Sequence, residues 1–417
     1  MSVHLASSRI AGSILQACAI VCIVCFFSSP ASAGGKAKIL FSPKPSQGAH
    51  PWGSLAFDSA GNFYGTTQEG GIAGCGPQGR GCGTVFELTP QPDGSWTPHV
   101  IYQFQGGTDG DLPYAGVVFD GAGNLYAPTA AGGTNDVGTA YELSLGAGGW
   151  GEKLLYTFGG PGQGSYPGAP FVFDKRGNLY GTTYDGCGNG SVYELDPSPA
   201  GTWSETQLHC FPESASDGTY PSAPVIFDAA GNLYSTTYLG GIYGGGVVFE
   251  LSPSQSGWTE TILYSVGPSQ EIYPWSSLVF DKQGNLYGLV YGGVFELTPS
   301  DGAWTYSTVY AAKAGSHGVA PNSLIIDAAG NLYGTAEGGA SSNCHGRGCG
   351  AVFKLTNGKK GWKLTDLYDF PGGTGGADPY SGLIMDQAGN LYGATYDGGK
   401  KGCGEGGCGV VYEIEAP

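Results

Sequence analysis

Short apolar segments rich in β-branched and aromatic residues alternate with glycine- and proline-containing turns throughout residues 36–417. One stretch shows the pattern clearly, with candidate strands at residues 224–228, 232–237, 246–253 and 258–266. Short runs of this composition, separated by turn residues, are typical of antiparallel β-strands. The pattern predicts an all-β protein built from four-strand units, and long helices are not expected.

The turn between the first two strands of each unit carries the motif DxxGN[LF]Y, which recurs seven times at spacings of 62, 54, 54, 53, 46 and 59 residues. A tight hairpin explains the motif, because glycine accepts the left-handed conformation that such a turn requires. Residues present in every unit are best explained by turns and packing, so we expect structural roles for the motif aspartates and for the glutamates of the third strands. These are Asp58, Asp120, Asp174, Asp228, Asp281, Asp327 and Asp386, and Glu87, Glu142, Glu194, Glu250 and Glu296.

The two ends of the chain complement each other. The seventh unit ends after its third strand, at residues 409–417, whereas a spare strand at residues 37–42 precedes the first unit and matches residues 261–265 of the fourth. An N-terminal strand that completes the last unit would close a ring and remove two open sheet edges. We therefore predict a seven-bladed β-propeller with four-stranded blades, closed by the N-terminal strand.

Three segments resemble one known family closely: GTVFELTP at 83–90, IYQFQGGTDGDLP at 101–113 and GNLYGTT at 177–183. They are similar to the GloVer repeats of exported bacterial choice-of-anchor proteins, and the hairpin motif also resembles NHL-type propeller repeats. The resemblance covers nearly all of residues 36–417 and implies export and repetition, without an agreed activity. Family members often end in an anchoring segment, and the absence of one before Pro417 favours release.

The N-terminus is typical of a signal peptide. A mostly apolar run at residues 14–27 follows Arg9 and precedes the small-residue site Ala31-Ser32-Ala33, so we expect cleavage after Ala33. The alternative, a membrane anchor, would need roughly 20 apolar residues. Residues 1–33 are thus predicted to be a signal peptide and residues 34–417 a single propeller domain, secreted or in the periplasm, with no transmembrane segment after cleavage.

The formal net charge of −17 disfavours nucleic acid as a partner. Removal of the leader deletes Arg9 and no acid, so the mature protein is more acidic still. We expect a soluble monomer.

Eight cysteines remain after cleavage, an even number that predicts disulfides in an exported chain. Three pairs lie in glycine-rich loops before third strands, and the fourth would join a loop to the outer strand of the third unit. A zinc site made from two pairs is the weaker alternative. The predicted disulfides are Cys75–Cys82, Cys344–Cys349, Cys403–Cys408 and Cys187–Cys210.

Function is expected where the units differ. A proline precedes the first strand of every unit, and the residues flanking it should reach one mouth of the central channel if the first strand is innermost. Six of the eight tryptophans are repeat-wide turn residues, and the other two, Trp52 and Trp275, directly follow this proline. We predict an aromatic collar that binds a ligand, and the alternative is that these rings only pack between blades. The remaining candidates beside the proline are Tyr114, Tyr166, Tyr220, Tyr273 and Tyr380, and those ending second strands are Tyr184, Tyr238, Tyr291 and Tyr396.

Signals for catalysis and cofactors are weak. No recognised nucleophile or metalloprotease motif is present, and His50 and His317 are the only histidines expected on the collar face, as candidates for a general base. Acidic residues among glycines at 106–111, 213–218 and 372–378 lack the spacing of an EF-hand loop, so no cofactor or metal is predicted, with calcium as a weak possibility. The leading hypothesis is a noncatalytic, secreted or cell-surface propeller that binds a saccharide or peptide at the collar. The alternatives are a secreted lyase or glycoside-cleaving enzyme and a structural or adhesive envelope protein.

Overall fold

A computed structural model describes residues 35–212, 214, 216–267, 274, 276–312, 321–337, 344 and 348–416. Its regular structure is almost entirely β-strand. The helices of the described residues are single 3-10 turns at Pro45–Gln47, Pro77–Gly79, Gly107–Asp109 and Gly373–Gly375. No helix within the described ranges is long and apolar enough to cross a membrane.

Blades 1 to 6 are antiparallel sheets of four strands in sequence order, from a short inner strand to a long outer one. The inner strands are Ala56–Phe57, Val118–Phe119, Val172–Phe173, Ile226–Phe227, Val279–Phe280, Pro321–Ile326 and Ile384–Met385. The second strands are Phe63–Thr67, Leu125–Thr129, Leu179–Thr183, Leu233–Thr236, Leu286–Val290, Leu332–Ala336 and Leu391–Thr395. The third strands are Thr84–Pro90, Thr139–Gly146, Ser191–Pro197, Val247–Ser254, Gly293–Ser300, Ala351–Gly358 and Gly407–Ile414. The outer strands of blades 1 to 6 are Trp96–Gln103, Gly149–Thr157, Trp203–Cys210, Gly257–Ser265, Ala303–Ala311 and Gly361–Asp369.

The N-terminal strand Ala37–Phe41 supplies the outer strand of blade 7. It pairs antiparallel with the third strand of that blade, with Ala37 opposite Ile414 and Phe41 opposite Val411. The seven-bladed propeller and its closure by the N-terminal strand, both predicted from the repeat, are confirmed. Small two-residue ladders, Gly164–Ser165 with Asp185–Gly186 and Gly218–Thr219 with Leu239–Gly240, add to the loop face, and Gly398–Gly399 pairs with the third strand of blade 7.

The hydrophobic core is divided among the junctions between blades. Seven clusters of buried side chains are present, and each draws on two neighbouring blades. At the closing junction, Phe41 and Val411 of blade 7 pack with Leu55 and Phe86 of blade 1. Since every junction is filled, including the one that joins the two ends of the chain, burial of apolar area stabilises the ring as a whole.

A glycine recurs in the middle of the second strand because an aromatic ring of the third strand lies directly over it. The ring of Phe295 in the third strand of blade 5 is fully buried and lies over Gly288. A Cβ atom at Gly288 would lie 2.4 Å from the Cζ atom of Phe295, so the aromatic ring requires glycine beneath it.

The motif aspartate organises each hairpin. In blade 4 the Oδ1 atom of Asp228 accepts hydrogen bonds from the N–H groups of Ala230 and Asn232, at 2.8 and 2.9 Å. Its Oδ2 atom accepts from the Asn232 side-chain amide and the Tyr234 hydroxyl, at 2.9 and 3.2 Å. The other six hairpins repeat this arrangement, which agrees with the structural role predicted for the aspartates.

In blades 1, 3, 5 and 7 the third-strand glutamate joins the same network. Tyr64 donates its hydroxyl to Glu87 at 2.9 Å, and partial burial, together with this carboxylate and Asp58, raises the pKa of Tyr64 well above its usual value. In blade 6, Lys354 replaces the glutamate and lies 5.0 Å from the centre of the Tyr333 ring. The lysine cation contacts the tyrosine ring, whereas the glutamate of the other blades lies beside the tyrosine as a carboxylate. In both cases the third-strand residue stabilises the hairpin tyrosine.

All four predicted disulfides are formed. The Cα atoms of the pairs are 5.0–5.3 Å apart, within the range that a disulfide requires. Four disulfides fit a protein that works in an oxidising, extracellular environment.

Candidate functional site

A repeated turn brings the end of each blade connection to the mouth of the central channel. The residue before the proline has a positive φ in five described connections: 57° at His50, 56° at Leu112, 59° at Tyr166, 60° at Tyr220 and 55° at Asp378. The Tyr220 N–H donates to the Asn189 carbonyl of blade 3 at 2.8 Å, and the Tyr220 carbonyl accepts from the Tyr238 N–H of blade 4 at 3.1 Å. The turn therefore ties two blades together and fixes the direction of the residues around the proline.

The proline itself packs against the preceding blade. A Cβ atom added at Gly350 would lie 2.2 Å from the Cδ atom of Pro379, and one at Gly409 would lie 2.6 Å from that of Pro51. Since both glycines also have positive φ, of 96° and 84°, only glycine fits this contact without strain. The scaffold at the channel mouth is thus rigid and repeated, whereas the side chains it presents differ.

The channel mouth holds a cavity of about 730 Å³. Its walls come from two repeat positions: the residue after the proline and the residue after the second strand. At the first position all six described residues line the cavity, namely Trp52, Tyr114, Gly168, Ser222, Asn322 and Tyr380. At the second position the lining residues are Gln68, Ala130, Tyr184, Glu337 and Tyr396, and Leu112, Ala131 and Tyr166 complete the wall.

The aromatic side chains of the cavity gather around Trp52. The Trp52 ring stacks on Tyr380 with centroids 4.7 Å apart and 17° between the planes, and meets Tyr114 and Tyr396 edge-on at 5.7 and 5.5 Å. Trp52 nevertheless keeps 39% of its surface exposed. On the blade 3 side, Tyr166 and Tyr184 are each 43% exposed. Exposed ring faces on a wall held by stacking are available to a ligand.

Polar groups occupy the rest of the wall. Glu337 accepts a short hydrogen bond from the Tyr380 hydroxyl, and burial, followed by this carboxylate, raises the pKa of Tyr380 well above its usual value. The Gln68 amide donates to the Tyr114 hydroxyl at 3.4 Å, while its buried Oε1 atom has no hydrogen-bond partner among the described residues. Together with Ser222 and Asn322, these groups can donate and accept hydrogen bonds beside the aromatic rings.

His50 lies behind this wall and is 95% buried, with 5% of its surface exposed. Its Nδ1 atom is 3.1 Å from the Tyr396 carbonyl and its Nε2 atom is 3.0 Å from the Cys403 carbonyl. Each carbonyl thus lies within hydrogen-bonding distance of one ring nitrogen. The carboxylates of Glu69 and Asp397 lie 3.7 Å from Nε2 and 3.6 Å from Nδ1, respectively. This geometry favours a link between blades 1 and 7 over a general base, because neither ring nitrogen is free.

The predicted collar is thus placed as follows. Trp52, Tyr114, Tyr166, Tyr184, Tyr380 and Tyr396 share one cavity. Tyr220 lies beside it, stacked on Tyr184 with centroids 4.9 Å apart, and Tyr238 does not line it. Tyr273, Trp275 and His317 lie outside the described residues.

Sequence reasoning missed the polar part of the wall. Ser222 and Asn322 occupy the same repeat position as Trp52, and Gln68 and Glu337 the same position as Tyr184. Aromatic residues at these two positions are conspicuous in the sequence, whereas the repeat register alone marks every residue there as facing the channel.

The repeat units match the family model described as the Gloeobacter/Verrucomicrobia repeat over residues 76–293 and 290–417. The chain belongs to this family. The resemblance of three sequence segments to GloVer repeats is therefore confirmed across most of the chain. No curated protein matches the sequence.

Solved structures share the fold at low sequence identity. Virginiamycin B lyase from Staphylococcus aureus is 15% identical with a TM-score of 0.55, over 91% of this chain and 98% of that one. The extracellular domain of a candidate one-component system from B. thetaiotaomicron is 12% identical with a TM-score of 0.56, over 92% of this chain and 40% of that one. A candidate 6-phosphogluconolactonase from Bacteroides uniformis is 16% identical with a TM-score of 0.52, over 76% and 86%. At these identities the similarity concerns the propeller fold alone.

Proposed function

We propose that this member of the Gloeobacter/Verrucomicrobia repeat family is an exported binding propeller that holds a saccharide in the cavity at its channel mouth. The observation that carries the proposal is the pairing of exposed aromatic faces with hydrogen-bonding groups in one cavity of about 730 Å³. Sugars present C–H faces that stack on aromatic rings and hydroxyl groups that exchange hydrogen bonds with amides and carboxylates. Trp52 offers the first kind of contact, and Gln68 and Glu337 the second.

The alternatives receive less support. In a purely structural protein the collar rings would be buried in packing, whereas Trp52, Tyr166 and Tyr184 are each about two-fifths exposed. For an enzyme, the carboxylate of Glu337 is present at the cavity, but the candidate general base among the described residues, His50, is buried with both nitrogens engaged. A peptide ligand is the alternative that a failure to bind oligosaccharides would favour.

Binding to a panel of soluble bacterial and plant oligosaccharides, measured by calorimetry on residues 34–417, tests the proposal. Trp52→Ala should weaken binding by about tenfold or more, because it removes the central ring and leaves its stacking partners without support. The matched control is Tyr243→Ala: Tyr243 is 58% exposed and lies outside the cavity wall. Saturable binding lost in the first variant and kept in the second supports the site.

Two outcomes would count against a saccharide site. If no oligosaccharide binds to protein that is folded by circular dichroism, a protein or peptide ligand becomes the better proposal. If binding occurs and Trp52→Ala leaves it unchanged, the ligand is held elsewhere.

We also infer that the chain is exported and cleaved after Ala33. The apolar run at residues 14–27 and the disulfides support this inference. Expression of the full chain in a bacterial host, followed by N-terminal sequencing of the protein outside the cytoplasm, should return a sequence that begins at Gly34. A product that retains residues 1–33 would contradict cleavage.

A further inference from the structure

The outer rim between blades 3 and 4 carries a cluster of metal-binding side chains, His209, Asp217 and Glu260. His209 lies in the outer strand of blade 3 and Glu260 in the outer strand of blade 4. Asp217 lies in the connection that leads from one blade to the other. None of the three lines the cavity at the channel mouth. The cluster is therefore separate from the collar and spans one blade junction.

Distances within the cluster fit ligands around a common ion. The Nε2 atom of His209 is 3.7 Å from Oδ2 of Asp217 and 3.6 Å from Oε2 of Glu260, and all three ligand atoms lie within 4.8 Å of one another. These separations are too long for hydrogen bonds. Two ligands that each lie about 2.0–2.2 Å from one tetrahedral zinc ion are themselves about 3.3–3.6 Å apart.

Two polar atoms of the cluster are buried without a hydrogen-bond partner among the described residues. They are Nε2 of His209 and Oε1 of Glu260, the second oxygen of the carboxylate whose Oε2 faces His209. Asp217 accepts the Gly218 N–H at Oδ1, at 2.6 Å, and this bond leaves Oδ2 directed at His209. The three side chains are only 19%, 14% and 13% exposed. Buried polar atoms without partners are costly, and a bound cation would satisfy them together.

Comparison with the other blades shows what is special at this junction. The position of His209, six residues after the tryptophan of the outer strand, is tyrosine in the other five complete units: Tyr102, Tyr156, Tyr264, Tyr310 and Tyr368. At the junction of blades 2 and 3, the Tyr156 hydroxyl donates to Glu205 at 3.0 Å, so phenol and carboxylate satisfy each other. In blade 3, histidine replaces that hydroxyl with an imidazole nitrogen, which faces both Asp217 and Glu260.

We propose that His209, Asp217 and Glu260 form a zinc site that links blades 3 and 4. One imidazole nitrogen and two carboxylates suit Zn²⁺, whereas calcium prefers oxygen ligands alone. The Cys187–Cys210 disulfide anchors the residue next to His209, so one ligand is held on a rigid strand. The ion would join the outer strands of blades 3 and 4, in addition to the apolar packing between these blades. The fourth coordination position is left for water.

The test uses residues 34–417, freed of metal by dialysis against a chelator and titrated with zinc chloride in competition with a chromophoric chelator. We expect one zinc ion per chain and a higher melting temperature with zinc. His209→Tyr should lower zinc affinity by at least about 100-fold, because a ligand is lost, while the tyrosine found in the other units preserves the fold. The matched control is His99→Tyr, the same change at an exposed histidine on the outer strand of blade 1, which should leave zinc binding intact.

Either of two results would overturn the proposal. Folded protein that binds no zinc would make the cluster an ion-pair network between blades. Equal zinc affinity in His209→Tyr and the unmodified protein would place the bound zinc elsewhere. Asp217→Asn, measured in the same way, tests whether a second residue of the cluster also coordinates zinc. It should weaken zinc binding too, and it leaves the sequence of the outer strands unchanged.

Discussion

On the hairpin face of the disc, the motif aspartate accepts the same four hydrogen bonds in every blade, as at Asp228. On the opposite face, no two of the six blades described at both channel positions present the same pair of side chains. Blade 1 offers Trp52 and Gln68, whereas blade 6 offers Asn322 and Glu337. Requirements that every blade shares keep the aspartate network constant on the first face, whereas the residues at the channel mouth vary from blade to blade. Loops on a rigid scaffold are where binding residues are generally placed.

The hairpin face should control stability and leave binding unchanged. Asp228→Ala removes the acceptor of four hydrogen bonds and should lower the free energy of unfolding by about 3 kcal/mol. Thermal and urea denaturation measure the loss, and the exposed Glu405→Ala is the control. Asp120→Ala should cost a similar amount, since its hairpin has the same bonds. If the two variants lose very different free energies of unfolding, the hairpins of blades 2 and 4 do not contribute equally to stability.

Disulfides on the loop face should contribute less than the hairpins. Replacement of Cys75 and Cys82 together by serine opens a loop with a sequence separation of 7 residues. The loop-entropy model gives a loss of about 2 kcal/mol. Unfolding midpoints of the oxidised protein and the double variant measure the difference. An unchanged midpoint would show that the hydrogen bonds of this loop hold it without the covalent link.

Exposed aromatic residues on the loop face should affect binding with little effect on stability. Tyr184 lines the cavity, is 43% exposed and stacks on Tyr220. Tyr184→Ala should weaken a ligand of the collar by about tenfold, that is by about 1.4 kcal/mol, and change the melting temperature only slightly. Calorimetry and thermal denaturation on one preparation give both values. A large drop in melting temperature with unchanged affinity would assign Tyr184 to blade packing.

The outer rim should respond to pH. Burial raises the pKa of Glu205 to about 7, against the opposing effect of hydrogen bonds from Tyr156 and Gln207. The unfolded chain releases this proton near the ordinary value of 4.5, so between the two values the folded state binds more protons. Stability conferred by this side chain therefore falls as pH rises from about 4.5 to about 7.

Glu205→Gln removes this titration and keeps an acceptor for the Tyr156 hydroxyl. The variant should gain melting temperature relative to the unmodified protein between pH 5 and pH 8, by a small amount because the carboxyl is partly exposed and screened. Melting curves across this pH range measure the effect. A difference that does not change with pH would show that burial leaves Glu205 with its ordinary pKa.

Several features of the collar could be predicted from the sequence because they depend only on the spacing of the repeats and on the number of tryptophans. The repeat register placed the prolines at one face, and the two tryptophans outside the repeat-wide set pointed to Trp52. The polar wall was missed because Ser222, Asn322 and Glu337 carry no signal of their own; only their place in the ring makes them neighbours. The structural position of His50 was equally hidden, since its partners are carbonyls of Tyr396 and Cys403, more than 340 residues away in sequence.

The sequence by itself determined the number of blades, the closure by residues 37–41 and the three short-range disulfide pairs. Each of these depends on local patterns, on complementary chain ends or on cysteines close to one another along the chain. The tertiary structure decided which side chains from different blades meet: the stack of Trp52 on Tyr380, and the approach of His209 to Glu260 across a junction. Such contacts depend on the curvature and twist with which blades pack, which no single repeat encodes.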